Sequence, residues 1–360
     1  MNRKTAHIIA LLALLALGLA LPWIAPAHLS QLSKLWLFLV MAFGWDLLGG
    51  QAGYNSFGNI VFFGIGMYAA LALQVGLYYP VAEYTAAKGG GTEFVFTARQ
   101  IYTGLALGIP FGGLVAMFSA VIFGGLLLGM RGHYFAIATL GLAVAAAELA
   151  AGWDYIGAGS GMVAPTLPDA VNGTRLFYYL SFGLAALALL FFSWLYSTRF
   201  RLAINAIRDD EDKAEAMGHY TVRHKMMAWA ISALFTGLAG AIYGNLSRFI
   251  DPHDIAFNAE VGVWMILMAI LGGKGTFWGP VIGAIVFFGA KELFWTWLLG
   301  WQRVALGVLI VIIVVFFPRG IVGWVRERWP RLFIEPEPDE EALDDAAPPM
   351  AGGKGEASHA

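Results

Sequence analysis

From Ile8 to Phe317 the chain returns repeatedly to apolar runs, and one long charged interval, Arg199 to Lys225, interrupts them. A hydrocarbon core of about 30 Å is crossed by roughly 20 apolar residues in a helix, or by about ten in a barrel strand. Only helices and closed barrels satisfy every backbone polar group in lipid, and runs of this length fit helices. Composition agrees: 59% of residues are hydrophobic and 13% charged, where soluble domains carry about 25% charged residues. The expected fold is an all-α integral membrane protein.

A window of roughly 19 residues predicts about ten transmembrane helices. They lie near 7–24, 35–48, 56–77, 101–129, 134–151, 177–196, 226–246, 261–271, 277–299 and 304–317. The stretches at 35–48 and 261–271 are short for a full crossing and also fit re-entrant segments. Asn2-Arg3-Lys4 before an apolar run has the charge order of a secretory signal. Leu-Pro-Trp-Ile-Ala-Pro offers no small-x-small cleavage site, so the run is read as a retained first span.

The formal net charge of -2 conceals an asymmetry. Eight acidic residues and one lysine lie after Ile334, leaving 21 basic and 16 acidic side chains before it. Placing the N-terminus in the cytoplasm puts Arg131, the 199–225 interval, Lys274, Arg319, Arg326, Arg328 and Arg331 on one side, as positive-inside bias requires. An even span count then leaves both termini cytoplasmic. Residues 1–334 are read as one membrane domain, and 335–360, rich in acids, Pro, Gly and Ala, as an acidic disordered cytoplasmic tail.

Several chemistries are excluded. There is no cysteine, hence no disulfide framework and no thiolate ligand or nucleophile. Histidines lack zinc spacing. Arg208-Asp209-Asp210-Glu211-Asp212 resembles an aspartate-rich magnesium site, but Lys213 stands where a third carboxylate is needed, and no second acidic cluster faces it. Gly273-Lys274-Gly275-Thr276 fails as a phosphate loop, because position 275, directly after the lysine, is Gly where Ser or Thr is needed. No metal site, catalytic residue or nucleic-acid surface is expected in this chain.

The charged interval predicts a single short helix over Ala203 to Met217, stopped by Gly218. On a 3.6-residue period Ile204, Ile207, Glu211, Ala214 and Met217 or Gly218 form one mildly apolar stripe. Such a stripe suits docking in the groove of a partner.

The run from Arg201 through Asn205, Arg208, Glu211, Ala214, Met217 and Gly218 resembles the coupling segment of permeases in ABC importers for branched-chain amino acids. Other motifs are similar to those of the LivM-type subunit. They are Gly53-Tyr-Asn-Ser-Phe-Gly-Asn59 with Phe63-Gly-Ile-Gly-Met-Tyr-Ala69, and Arg131-Gly-His-Tyr-Phe-Ala-Ile-Ala-Thr-Leu-Gly141 with the outer loop Gly157-Ala-Gly-Ser-Gly-Met162. Leu271-Gly-Gly-Lys-Gly-Thr-Phe-Trp-Gly-Pro-Val-Ile-Gly283 and Phe317-Pro-Arg-Gly-Ile-Val-Gly323 complete the set, which covers about residues 35–328. The early motif departs at Tyr54, Asn55 and Asn59, which bears on substrate more than on mechanism.

The resemblance implies a short cytoplasmic coupling helix, with Asn205, Ile207, Arg208, Glu211, Ala214, Met217 and Gly218 as its contact residues. It implies a heterodimer with a second permease, two cytoplasmic ATPase subunits that bind ATP and Mg²⁺, and a periplasmic solute-binding protein. The chain itself would be multi-pass in the bacterial cytoplasmic (inner) membrane, in contact with membrane lipid, and would hold no cofactor. The alternatives are a urea or short-amide permease of the same architecture and, in another class, an ion-coupled secondary transporter.

Polar residues inside apolar sequence are costly and point to function. Asp46, Asn55, Ser56, Asn59 and Glu148 are the candidates for the translocation path, and Asp46 or Glu148 would bind the ion in an ion-coupled carrier. Lys291 and Glu292 fit snorkelling or structural pairing.

Overall fold

The computed structural model describes residues 3–89, 94–297, 300–301, 304–308, 311, 315 and 320–328. The proposed tail at 335–360 and half of the tenth span at 304–317 lie outside these residues. The long helices are α1 (Arg3–Ile24), α2 (Leu29–Asp46), α3 (Asn59–Gly76), α5 (Ala98–Leu127), α6 (Gly132–Ala151) and α7 (Gly173–Leu195), with α4 (Val81–Ala86) a short one. After them come α8 (Arg199–Asp209), α9 (Glu211–Ala216), α10 (Thr221–Ser247), α11 (Ala259–Gly272), α12 (Trp278–Trp297) and α13 (Gly320–Arg328). Eight helical stretches among the described residues are long and apolar enough to cross a membrane. The 20-residue α12 matches the predicted ninth span, with Lys291 and Glu292 in its second half.

The two short stretches are longer than hydropathy indicated. α2 passes without a break into a wide turn at Leu47–Gln51, giving 26 helical or near-helical residues from Pro26. A second wide turn, Pro252–Ala256, leads into α11. α11 itself has 14 residues, about 21 Å at 1.5 Å per residue, and reaches bilayer length only with that turn.

Close backbone approach organises the interior, since lipid supplies no hydrophobic force between helices. α3, α5 and α10 form the most tightly packed group. A methyl group on Gly66 would strike the backbone of Gly237, and one on Gly240 would strike that of Phe63. Gly104, Gly108 and Gly112 of α5 lie against Gln74, Ala70 and Gly66 of α3. The four-residue spacing therefore reports packing here and at Gly279 and Gly283, which meet Gly273 and Met268. Gly125 and Gly129 differ, with nothing within 4 Å among the described residues.

α2 runs through the centre of the body, buried against α7, α10, α11 and α12. α1 lies along α7, where the Gly18 carbonyl accepts from Tyr178 Oη at 2.5 Å. At one end of the bundle a two-residue ribbon pairs Met162 with Ile250 and Val163 with Phe249. At the other end lie α8, α9, the Gln51–Gly58 segment and the α11–α12 turn.

Candidate functional site

The charged interval folds as two helices, which corrects the single helix expected over Ala203 to Met217. Asp210 is the break, with an extended backbone (φ -163°, ψ 105°), and its Oδ1 accepts from the Lys213 amide at 3.1 Å. Aspartate here does more as the N-cap of α9 than as an interior residue of a longer helix. Gly218 (φ +89°) ends α9, with His219 N bonded to Ala214 O at 3.1 Å and Gly218 N to Glu215 O at 2.9 Å. This is the left-handed glycine stop the sequence indicated.

The stripe read as a docking face turns inward. Ala203, Ile204, Ile207 and Ala214 are buried within this chain. The end of the stripe does not follow: Met217 is 79% exposed and Gly218 is exposed, so the inward packing stops at Ala214. Asn205 is half-buried, with its Oδ1 among the buried atoms that have no partner in the described residues.

Glu211, on the same stripe, explains why a carboxylate occurs there. Its Oε1 receives Lys225 Nζ at 2.7 Å, and its Oε2 accepts a very short bond from Tyr54 Oη. Lys225 is 1% exposed. It also donates to Tyr54 Oη at 2.9 Å and to the Leu128 carbonyl at 3.1 Å, and its ammonium lies 4.5 Å from the centroid of the Tyr54 ring. Arg131 adds a second cation, with Nε 3.5 Å from Glu211 Oε2 and Nη1 2.7 Å from Asp212 Oδ1. One knot thus joins α9 to the head of α10, the end of α5, the start of α6 and the segment before α3.

The electrostatics follow from that packing. Burial alone pushes the Glu211 carboxyl up, but the bonds from Lys225 and Tyr54 and the charges of Lys225 and Arg131 outweigh it, leaving the group below its ordinary range. The Tyr54 phenol is pushed well above its usual range, first by burial and then by the adjacent Glu211 carboxylate. The neighbouring acids are committed one by one. Asp209 pairs with Arg208 at 3.0 Å, Asp210 with Lys213 at 2.9 Å, and Asp212 with Arg131.

The path candidates separate. Asp46 is 0% exposed. Its Oδ1 accepts from the Gly275 amide at 2.7 Å and its Oδ2 from Tyr196 Oη at 3.2 Å. Gln51 Nε2 holds the Gly275 carbonyl at 2.9 Å, so the two side chains clamp the α11–α12 turn. Ser56 is buried and accepts from the Gly58 amide at 3.1 Å. Asn59 donates to Ser232 Oγ at 2.9 Å between α3 and α10. Asn55 is exposed and shares an open hollow with Arg208 and Lys274. Glu148 is exposed on the open face of α6, in line with Ile137, Gly141 and Val144.

Sequence reasoning did not single out Tyr54, Arg131 or Lys225 as partners of Glu211. The available signal was the carboxylate itself, set into an otherwise apolar stripe and therefore in need of a cation.

Fold and junction together define a multi-pass all-α membrane protein whose helical body is tied by ion pairs to a charged helical segment at one end. The family model described as branched-chain amino acid transport system / permease component matches residues 28–315, and the chain belongs to this family. It is 24% identical over 350 residues to the high-affinity branched-chain amino acid transport system permease protein LivM of Escherichia coli (strain K12), covering 88% of this chain and 75% of that protein. It is 30% identical over 141 residues to the corresponding permease protein LivH of Salmonella typhimurium, covering 39% of this chain and 44% of that one. Over 119 residues it is 32% identical to the guanosine ABC transporter permease protein NupQ of Bacillus subtilis, covering 32% and 35%. No solved structure matches. The resemblance carried by the sequence motifs is thus confirmed at the level of the family.

Proposed function

We propose that this chain is the membrane-spanning permease subunit of an ATP-binding-cassette importer for branched-chain or related amino acids. It sits in the bacterial cytoplasmic (inner) membrane with both termini cytoplasmic and forms half of a heterodimeric pore with a second permease. Two cytoplasmic ATPase subunits hold ATP and Mg²⁺, and a periplasmic solute-binding protein delivers the solute. The LivM relative, aligned over 88% of this chain, supports the solute class. The LivH relative, a second permease protein of the same named system, supports the pairing.

The observation that carries the mechanism is the buried Lys225–Glu211 pair. The open side of α9, from Asp212 to Gly218, receives the ATPase. Glu211 passes its displacement to Lys225 at the head of α10, and Arg131 passes it to α6. Because α10, α3 and α5 touch through glycine and backbone, they move as one body and switch the pore between outward and inward access. Glu148 and Asn55 are the exposed candidates for the path. An ion-coupled mechanism through Asp46 is disfavoured, since both its oxygens are engaged.

Reconstitution with the second permease, the ATPases and the binding protein tests the proposal. Uptake of a branched-chain amino acid that requires ATP and all components is expected. Uptake by this chain alone, driven by an ion gradient, would contradict it.

A further inference from the structure

An open hollow of about 430 Å³ lies beside α8 and is lined by Gly49, Gly50, Gly53, Asn55, Arg208 and Lys274. Its two charged walls are both cationic and come from distant parts of the chain, Arg208 from α8 and Lys274 from the α11–α12 turn. No carboxylate lines it among the described residues. Asp46, behind the floor, is spent on Gly275 and Tyr196. Asp209 occupies Nε and Nη2 of Arg208, while Nη1 stands beside Gly275, 3.3 Å from where a Cβ would be. Among the described residues Lys274 has no ion-pair partner.

The floor is built from glycine, so a ligand can approach the backbone. At Gly53, with φ +78°, a side chain would be strained and would meet Arg208 Cγ at 2.8 Å. The hollow also sits where the α2 span ends at Leu47–Gln51, the level at which basic pockets between transmembrane helices meet lipid headgroups. The Nη1 edge of Arg208 that Asp209 leaves open and the Lys274 point charge suit an oxyanion with several acceptor oxygens.

We propose that this hollow binds a phosphoryl group, either the phosphodiester of an anionic lipid headgroup or free phosphate. Bound there, it bridges Arg208 and Lys274 and holds α8 against the α11–α12 turn. The inference requires neither a partner subunit nor the coupling role of α9.

The test labels lysines of the full-length chain in nanodiscs with an amine-reactive reagent and reads each site by mass spectrometry. Three arms are compared: phosphatidylcholine discs, the same discs with inorganic phosphate, and discs containing phosphatidylglycerol. Lys213, 82% exposed and paired only with Asp210 among the described residues, is the internal reference. Labelling of Lys274 is expected to slow several-fold relative to Lys213 when a ligand is present, and to recover in high salt and in Arg208→Gln. Protection by added phosphate identifies the free anion, and protection only with phosphatidylglycerol identifies the headgroup. Equal labelling in all three arms, or protection that survives both Arg208→Gln and high salt, would overturn the proposal.

Discussion

Lys225 Nζ lies 2.7 Å from Glu211 Oε1, joining the first turn of the long helix α10 to the short helix α9 across the Gly218 stop. With Lys225 all but inaccessible, each partner depends on the other. Removing one member of a buried pair costs about 3–5 kcal/mol, because the remaining charge is left uncompensated, whereas replacing both is far milder.

A double-mutant cycle checks this dependence. Lys225→Met and Glu211→Gln singly should lower the thermal stability of the purified protein in detergent, and the double variant should lose less than the two effects added. A coupling energy above about 1 kcal/mol is expected for groups in direct contact. Additive losses would mean that the two side chains do not act as a pair.

The depressed Glu211 carboxyl sets the sign of a pH effect. A group whose folded pKa lies below its unfolded value contributes stability that is present above the unfolded value, about 4.3 for Glu, and is lost as pH falls through the folded value. Stability is therefore expected to fall on acidification below about pH 4.3, less steeply in Glu211→Gln than in the wild type. Parallel acid-unfolding curves for the two proteins would remove Glu211 from the account.

Glycines of equal spacing should differ in tolerance. Gly66→Ala and Gly240→Ala place a methyl group against backbone of another helix, and overpacking of this kind costs typically 1–3 kcal/mol. Gly125→Ala and Gly129→Ala meet nothing among the described residues. The yield of monodisperse protein by fluorescence size-exclusion chromatography should drop for the first pair and stay near wild type for the second.

Asp46 separates a clamp from an ion site. In Asp46→Asn the side-chain oxygen can still accept from the Gly275 amide, so transport and stability should be largely kept. Asp46→Leu leaves two buried donors unpaired, at about 1–3 kcal/mol each, and should unfold at lower temperature. Loss of transport in Asp46→Asn at wild-type stability would point instead to a role for the charge.

The spans were legible because crossing a bilayer demands long apolar runs, and each predicted stretch up to α12 coincides with a helix. Their ends were less so: Leu47–Gln51 and Pro252–Ala256 extend two of them by wide turns that hydropathy does not register. The stop at Gly218 could be read from one residue, whereas the break at Asp210 could not, since Asp209-Asp210-Glu211-Asp212 offers several caps with nothing local to choose among them. The face of α8 and α9 was found, but its direction was not. Ile204, Ile207 and Ala214 form an apolar stripe whether the groove belongs to another protein or to this one. Tyr54, Arg131 and Lys225 reach Glu211 from three separate places in the chain, a juxtaposition only the folded topology creates. Asp46 was marked by the same logic of costly polarity, yet its partner proved to be a backbone amide more than 200 residues away.

Transmission of α9 movement to α10 through Glu211 is tested most directly by the number of ATP molecules hydrolysed per solute imported in the fully reconstituted transporter. Glu211→Lys should raise that ratio sharply while ATP hydrolysis continues, and the exchange Glu211→Lys with Lys225→Glu should bring it back toward the wild-type value. A wild-type ratio in Glu211→Lys, in protein shown to be folded, would contradict the account.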